Sequence, residues 1–365
     1  FGFDARFFNG ELGVTFDWYQ RDTKNMIVPG EGVTWTFGAG SPKGNFGSLR
    51  TRGWELSIDY NHRFENGLGI NAMVSLSDAQ TEITAYGDTK SIDSWYIGKK
   101  YGEIWGYRTD RLYQKDDFVY ADGKLVTVWA LNGKEVPANT PGAKEMNKLK
   151  DPNGVYQDYF QTGTIKFGPG DVKYKDVNGD GIINGMDERP IGYPEGWAPI
   201  MSFGGNIGLQ WKGIDLNIDL SGGAMQGWRQ NYELANAYHG NGNSPVYLLE
   251  DRWHRADLYD PDSEWIPGRY PAIRKGEFSY NNKNSDFWLH NVRYLRIKNL
   301  EVGYSLPVQL LRPIRAQKVR VYANVSNLCS FDNVGKFGVD PEITAAAAVV
   351  YPQQRTFLLG FNITY

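Results

Sequence analysis

The sequence predicts an all-β protein whose antiparallel strands form the wall of a transmembrane β-barrel. Apolar and polar residues alternate along nine separate stretches, and the connections between these stretches are alternately short and long. No run of about 18 apolar residues, the length that a membrane-spanning helix needs, occurs anywhere in the chain. Alternation indicates strands because successive side chains of a strand point to opposite faces of the sheet.

The first four predicted strands cover residues 1–8, 12–18, 54–60 and 68–77. Asn9-Gly10 separates the first two and is a strong signal for a β-hairpin turn. Glu65-Asn66-Gly67 separates the third from the fourth in the same way. The apolar members of the second strand illustrate the pattern: Leu12, Val14, Phe16 and Trp18 alternate with Glu11, Gly13, Thr15 and Asp17.

The remaining five predicted strands cover residues 201–211, 214–221, 292–306, 319–325 and 355–365. A change of parity at Asn299-Leu300 predicts a β-bulge in the third of these. The last strand carries Phe357, Leu359, Phe361, Ile363 and Tyr365 on one face, with mostly polar residues on the other. We expect this strand to pair with the first strand of the whole protein and so to close the barrel.

The connection lengths distinguish a membrane barrel from a soluble sheet. Short turns at Asn9-Gly10, 65–67, Lys212-Gly213 and 307–317 alternate with the long stretches 20–51, 78–198, 222–292 and 329–354. Outer-membrane barrels have short periplasmic turns and long extracellular loops. We therefore expect the short turns at the periplasmic rim, with Trp35, Trp129 and Trp253 on the outer side. A soluble all-β protein with two-faced sheets remains the alternative.

Aromatic residues lie near the ends of the predicted strands, where the girdles of a membrane barrel are found: Trp18, Trp54, Phe64, Trp211, Tyr304 and Tyr365. Bacterial single-chain barrels have even strand counts, so nine strands indicate part of a larger barrel. We expect the chain to begin within a barrel and to lack its N-terminal portion.

Composition and motifs argue against several other functions. The net charge of −3 does not indicate a nucleic-acid surface, and the single cysteine, Cys329, excludes an internal disulfide framework. The four histidines have no metal-ligand spacing, and no recognisable catalytic motif is present. We therefore predict that the protein is not an enzyme.

One loop has the pattern of a calcium site. Asp176, Asn178 and Asp180 stand at positions 1, 3 and 5 of an EF-hand-like loop, and Gly181 stands at position 6. Ile182 offers its backbone carbonyl at position 7, and Asp187 stands at position 12, where Glu is usual. The pattern predicts a structural Ca²⁺ that stabilises the long 78–198 connection. A metal-free turn rich in Gly and Asp is the alternative.

The long connections also carry most of the tryptophans. Trp228 and Trp253 are candidate ligand contacts, because flat aromatic rings stack on sugars and polar neighbours bind hydroxyls. The alternative is that these indoles fill small hydrophobic cores within the loops. Acidic residues on the predicted inner face, including Glu11, Asp59 and Asp215, are expected in any polar barrel lumen and do not identify a substrate.

Three stretches resemble the C-terminal part of the SusC-like TonB-dependent outer-membrane transporters of Bacteroidetes, the SusC/RagA family. They are PGDVKYKDVNGDG at 169–181 with Ile191-Gly192, LRIKNLEVGYSLP at 295–307, and Asp340-Pro341-Glu342 followed by Tyr351-Pro352 and the last strand. The resemblance implies that residues 1–365 are the C-terminal barrel portion, about nine of about 22 strands, and that the plug and first strands are not in this chain.

The resemblance also implies a function and partners. It implies a multi-pass β-barrel in the cell outer membrane that imports oligomeric nutrients, with glycan fragments as the first choice and oligopeptides as the second. A SusD-like surface lipoprotein would form the lid, and the TonB complex would supply energy through the missing N-terminal part. The alternative is a SusC-like barrel that serves as a structural scaffold in an outer-membrane complex without transport.

Overall fold

Nine long strands form a single antiparallel sheet in which each strand pairs with its neighbours in sequence. The computed structural model describes residues 1–30, 33–87, 96–194, 199–260, 262–273, 280–343, 351 and 353–365. We number the strands of this sheet β1 to β9. They are β1 (Gly2–Phe7), β2 (Leu12–Pro29), β3 (Lys43–Arg63), β4 (Gly69–Ala85), β5 (Met201–Trp211), β6 (Ile214–Arg229), β7 (Leu289–Ser305), β8 (Lys318–Asp332) and β9 (Thr356–Thr364). β1 and β9 are the two edges.

The predicted strands and their faces are confirmed by the pairing register. Phe16 pairs with Leu56, and Leu56 pairs with Leu76, so apolar side chains from adjacent strands share one face. The opposite face carries polar side chains in the adjacent rows, such as the row of Thr15, Ser57 and Ser75. We call the apolar face the outer face and the polar face the inner face. The predicted bulge is also present, as a register shift between Ile297 and Asn299.

The alternation of short and long connections is confirmed, but the bounds of the long ones were wrong. Stretch 20–51, expected to be a loop, is mostly strand, because β2 continues to Pro29 and β3 begins at Lys43. Backbone ladder hydrogen bonds do not depend on apolar side chains, so polar segments can continue a strand beyond its hydrophobic part. Trp18 and Trp54 consequently lie in mid-strand and not near strand ends.

The long connections fold into small elements packed beside the sheet. Their strands are Ile104–Gly106, Thr109–Leu112, Tyr120–Ala121, Lys124–Leu125, Thr127–Leu131, Lys134–Val136, Lys144–Asn147, Val172–Tyr174, Arg189–Gly192, His254–Arg255 and Trp265–Ile266. The α-helices are Val246–Glu250 and Val308–Leu311, the latter in the turn between β7 and β8. The 3₁₀ segments are Phe8–Gly10, Trp35–Phe37, Lys115–Asp117, Gly185–Asp187, Tyr232–Leu234, His239–Asn241, Arg312–Ile314 and Gly335–Phe337.

Two hydrophobic cores hold the elements of the long connections together, and a third, of Leu311, Ala316 and Val319, lies at the turn between β7 and β8. The larger core gathers aromatic and aliphatic residues from 107–183 together with Trp253, Ala272 and Tyr280. The smaller core joins Trp228 of β6 and Val292 of β7 to Val334, Phe337 and Val339 of the connection after β8. Among the described residues, no helix has the length and apolarity required to cross a membrane.

Candidate functional site

The inner face carries a continuous hydrogen-bonded network near the rim with the short turns. Arg320 of β8 donates from Nε to Asp215 Oδ1 at 3.0 Å, and from Nη2 to Glu301 Oε1 at 2.7 Å. The network continues through Asn324, which donates to Glu301 Oε2 at 3.2 Å and to Asn299 Oδ1 at 2.9 Å. A polar cavity of about 730 Å³ adjoins this network at the rim.

Two acidic side chains predicted to face the lumen lie close to basic side chains there. Arg6 of β1 and Asp59 of β3 lie on either side of β2, and Arg6 Nη1 is 2.6 Å from Asp59 Oδ2. Glu11 Oε1 lies 2.8 Å from His62 Nδ1. Because these acids are matched by bases from neighbouring strands, the inner face is polar without a large field of one sign.

A second network joins the connection after β8 to the inner face further from the short turns. Arg296 donates from Nη2 to Asp340 Oδ2 at 2.7 Å and from Nη1 to Glu342 Oε2 at 2.8 Å. Lys298 Nζ and Ser221 Oγ also donate to Glu342, at 2.6 and 2.8 Å. The Arg296 side chain is only 6% exposed. We call Arg296, Lys298, Asp340 and Glu342 the wall clamp, because they hold residues 333–343 against the barrel wall.

The pKa of Glu342 reflects this environment. Burial alone raises it, but hydrogen bonds from Lys298 and Ser221 and the charge of Arg296 outweigh burial, so the pKa lies below its ordinary value. The carboxylate is therefore ionised at neutral pH, which is the state that the wall clamp requires.

Trp228 lies beneath the same segment. Its indole is 2% exposed and stacks on His290, with ring centroids 5.4 Å apart. Phe337 covers both rings, at 5.6 Å from Trp228 and 4.7 Å from His290. The buried indole offers little surface to a ligand, so its ligand-binding role stays a prediction and its position favours packing.

Trp253 lies in the larger loop core and is 4% exposed. It rests on Gly170, whose backbone has a φ of +84° and where a Cβ would lie 2.5 Å from the Cβ of Trp253. The next residue, Asp171, accepts hydrogen bonds from the Gly168 amide at 2.8 Å and from Asn281 Nδ2 at 3.0 Å. The Pro-Gly-Asp stretch thus has a packing role here, and ligand binding by Trp253 also stays a prediction.

Two tyrosines of the larger core have pKa values that are shifted by burial. Burial raises the pKa of the Tyr113 and Tyr174 phenols far above the ordinary value. Both remain neutral at any physiological pH and act as hydrogen-bonding and packing groups, not as acids or bases.

The Asp-rich loop adopts a tight series of turns. Asp176 accepts from the amides of Gly179 and Gly181 at 2.7 and 2.8 Å, and Asp180 Oδ1 accepts from the Ile182 amide at 2.8 Å. Asn178 Oδ1 accepts from the Asp180 amide at 3.0 Å. Positions 1, 3 and 5 thus carry carboxylate and amide oxygens within one short loop, which is the type of donor that Ca²⁺ prefers.

The position 12 residue behaves differently. Asp187 is fully buried, and its carboxylate accepts from the amides of Val177 at 2.8 Å and Asn184 at 2.9 Å. In the part of the chain that the structure describes, no cluster of three or more His, Cys, Asp or Glu residues is arranged to hold a metal. Asp176, Asn178 and Asp180 are oxygen donors of the kind that suits a cation, but they accept hydrogen bonds from backbone amides as Asp187 does, so calcium stays a prediction.

Sequence reasoning missed the wall clamp. Asp340 and Glu342 enter the sequence analysis only as part of one family-like stretch, and Arg296 and Lys298 only within another, residues 295–307. The available signal was a pair of cations, two residues apart, on the inner face of β7. Such a pair requires acidic partners, and a long loop that carries two acids is the nearest source.

Pro352, in the last family-like stretch, lies outside the described residues.

Comparison with known proteins supports this architecture. Residues 1–138 match the family model described as TonB dependent receptor-like, beta-barrel. TonB-dependent receptor P3 of Formosa agariphila is 24% identical over 392 residues, which cover 100% of this chain and 33% of that protein. TonB-dependent receptor SusC of Bacteroides thetaiotaomicron is 24% identical over 372 residues, covering 100% of this chain and 31% of that protein.

Solved structures match the whole chain as well. One described as the structure of the RagAB peptide transporter superposes with a TM-score of 0.63 at 19% identity, covering 99% of this chain and 34% of that one. Another, of the RagAB peptide importer in the open-open state, also has a TM-score of 0.63 and covers 100% of this chain. This chain therefore spans about a third of the length of the proteins it matches.

Proposed function

We propose that this chain is a β-barrel segment of a TonB-dependent receptor and that the full protein imports oligomeric nutrients across the outer membrane. The match of residues 1–138 to the barrel family model, and the similarity of the whole chain to SusC, support this proposal. Glycan fragments are our first candidate cargo and oligopeptides our second. The RagAB structures are described as those of a peptide transporter, which keeps the second candidate open. We place the rim with the short turns in the periplasm and the long connections outside the cell.

The observation that carries the proposal is the contrast between the two faces of the sheet. The outer face is apolar in successive rows of paired strands, while the inner face has paired charges and amides around Arg320 and Arg296. In a sheet with this contrast the apolar outer face can contact lipid, and the polar inner face can contact water or a polar plug. A polar lumen is what passage of a hydrophilic oligomer requires.

The scaffold without transport is the second candidate. It draws on the wall clamp, which fastens residues 333–343 against the inner wall and so leaves part of the lumen occupied by the chain itself. A transporter must release or bypass such a segment during import, whereas a scaffold need not. The two candidates therefore differ in whether the lumen opens.

The partners follow from the same premise. We propose a SusD-like surface lipoprotein over the long-connection rim and energy supply from the TonB complex at the opposite rim. The folded loop cores support the first of these, because they present a firm surface and not a set of independent loops. Co-purification of the full receptor with a lipoprotein of that type, and its loss after deletion of residues 107–183, would support the docking surface.

We also propose that the Asp-rich loop binds Ca²⁺ through Asp176, Asn178, Asp180 and the Ile182 carbonyl, with Asp187 shaping the loop behind them. The side-chain turns at positions 1, 3 and 5 support this assignment. The ion would supply a fixed positive charge that holds the loop closed, and would have a structural role.

Uptake measurements test the transport proposal. A strain that lacks the full receptor is compared with the wild type on size-matched sets of defined glycans and oligopeptides, each as sole carbon or nitrogen source. We expect loss of growth on one set and normal growth on its monomers. Normal growth and uptake on every oligomer in both sets, with the outer membrane intact, would contradict transport and favour the scaffold.

Cysteine labelling in intact cells tests the orientation. A membrane-impermeant thiol reagent should label Gly38→Cys, in the β2–β3 connection, and should not label Lys212→Cys, in the β5–β6 turn. Cys329 is replaced by Ser in both variants, so that the introduced cysteine is the only thiol within residues 1–365. The reverse labelling pattern would invert the orientation.

A further inference from the structure

The outer face of β2, β3 and β4 changes character in regular cross-strand rows. The pairing register places four such rows in succession: Phe16–Leu56–Leu76, then Trp18–Trp54–Asp78, then Gln20–Arg52–Gln80, and then Asp22–Arg50–Glu82. All these residues share the parity of the apolar outer face. The surface thus passes from aliphatic and phenyl groups, through two indoles, to two rows of polar and charged groups without leaving the same three strands.

The spacing of the rows places the charges at a definite depth. Successive rows are two residues apart, about 6–7 Å along a strand, or roughly 5 Å along the membrane normal for a strand tilted by about 40°. Indole rings lie at the membrane–water interface, and the headgroup layer is roughly 5–8 Å thick on each side. The Arg52 row, about 5 Å above the indoles, therefore lies within the headgroup layer, and the Arg50 row, about 10 Å above them, lies just beyond it.

The two guanidinium groups and Lys100 surround a pocket above the indoles. Arg50 Nε donates to Asp22 Oδ1 at 2.7 Å, and Arg52 Nε donates to Gln20 Oε1 at 3.1 Å. Lys100 forms an isolated β-bridge opposite Glu82. The pocket has a volume of about 290 Å³ and is also lined by Trp18 and Trp54. The Arg52 side chain remains 53% exposed, and its nearest carboxylate, that of Glu82, lies 3.8 Å away.

A row of ordinary solvated ion pairs does not explain this arrangement. Three basic side chains and two acidic ones line the pocket, and Asp22 beside it pairs with Arg50 at 2.7 Å, so a large net positive field is not the attraction. The contacts through Nε instead fix the orientation of both guanidinium groups. A fixed, partly exposed guanidinium at headgroup depth is suited to a phosphate, which it binds with charge-assisted hydrogen bonds.

We propose that this pocket binds the phosphate of a phosphorylated lipid in the outer leaflet. Arg52 and Lys100 contact the phosphate, Arg50 supports the site from the row above, and the two indoles pack against the lipid immediately below the headgroup. The occupant is a membrane lipid and not a free anion, because the pocket floor is the aromatic row that borders the apolar outer face. The inference goes beyond nutrient import and shares with it only the placement in the outer membrane.

Lipid retention by the full receptor tests the proposal. Wild-type receptor and the Arg50→Gln/Arg52→Gln variant are purified from outer membranes in mild detergent, and bound lipid is counted by native mass spectrometry. We expect the wild type to retain a phosphorylated lipid and the variant to retain at least about tenfold less, as loss of charge-assisted contacts predicts. Heat-modifiable mobility verifies that each barrel is folded.

The control removes the same number of charges elsewhere. Arg21→Gln/Arg269→Gln changes one arginine on the opposite face of β2 and one in a loop, and we expect normal lipid retention. Equal retention by the two double variants would overturn the proposal. Lipid retention and nutrient uptake are measured separately, so the two proposals can fail independently. Equal lipid retention by the two double variants counts against this site alone, and normal oligomer uptake by the strain that lacks the receptor counts against the import proposal alone.

A second measurement does not depend on any variant. Wild-type receptor stripped of lipid is offered the phosphorylated lipid, its enzymatically dephosphorylated form, or inorganic phosphate. We expect binding of the first, at least about tenfold weaker binding of the second, and no displacement by millimolar inorganic phosphate. Equal binding of both lipids would refute phosphate recognition, and displacement by free phosphate would show a general anion site and refute the lipid assignment.

Discussion

Replacing Arg296 tests whether the wall clamp holds residues 333–343 against the barrel. Arg296→Met keeps the length of the side chain but removes the charge that meets Asp340 at 2.7 Å and Glu342 at 2.8 Å. Breaking a buried ion pair by removing one partner typically costs about 3–5 kcal/mol. Lys298 still neutralises Glu342, at 2.6 Å, so we expect the lower end, about 3 kcal/mol.

The loss should appear as local opening and not as global unfolding. Val334, Phe337 and Val339 remain packed against Trp228 in the variant, so the segment stays mostly closed. A loss of about 3 kcal/mol raises the opening equilibrium by roughly two orders of magnitude, since each 1.4 kcal/mol is tenfold. Hydrogen exchange of the 333–343 amides in the full receptor measures this change directly.

The matched control is Arg269→Met. Arg269 also pairs with a carboxylate, Asp251 at 3.3 Å, but its side chain is 76% exposed. Exposed pairs contribute about 0–1 kcal/mol, so exchange near Asp251 should change less than about fivefold. Exchange of 333–343 that is the same in Arg296→Met and the wild type would refute the wall clamp as the element that holds this segment.

Acidification provides an independent test of the same contacts. The folded pKa of Glu342 is below its ordinary value of 4.5, so the ionised group stabilises the docked segment. That stabilisation is complete above the ordinary pKa and is lost as pH falls through the lower folded pKa. Opening of 333–343 should therefore increase in acid below about pH 4.5, and this increase should be smaller in Glu342→Gln.

Three further perturbations test the loops and the last strand. Gly170→Ala should destabilise the larger loop core by about 2–4 kcal/mol, because the added Cβ meets both a strained positive φ and the Trp253 side chain. Gly163→Ala is the control, since its φ is also positive but its surroundings are open, and it should show only the strain. Thermal unfolding measures both changes. If the Asp-rich loop binds calcium, elemental analysis should find one ion fewer per receptor in Asp176→Ala/Asp180→Ala than in the wild type. A chelator should increase proteolysis of this loop only in the wild type, and equal calcium content in the two proteins refutes the site. Tyr365→Ala should lower the amount of folded, heat-modifiable barrel while Tyr365→Phe remains near normal, because we assign the ring and not the hydroxyl to the membrane interface; equal levels in both would contradict that role.

Much of the wall could be predicted from sequence because its signal is local and periodic. The parity of residues such as Phe16, Leu56 and Ile218 assigns each strand its outer face without any knowledge of its neighbours. The turns at Asn9-Gly10 and Lys212-Gly213 then determine which strands pair, since short connections join antiparallel neighbours. The bulge near Lys298 was visible as a change of parity for the same reason.

The tertiary structure decided what depends on distant residues. The length of β2 and β3 beyond Trp18 and Trp54 rests on backbone pairing between polar segments, which have no hydrophobic period to read. The wall clamp joins side chains 44 and 46 residues apart, and only the folded loop brings them together. The sequence likewise left the burial of Trp228 undetermined, because an indole suits a sugar-binding surface and a loop core equally well. Its burial results from the packing of Val334, Phe337 and Val339, which come from a distant part of the chain.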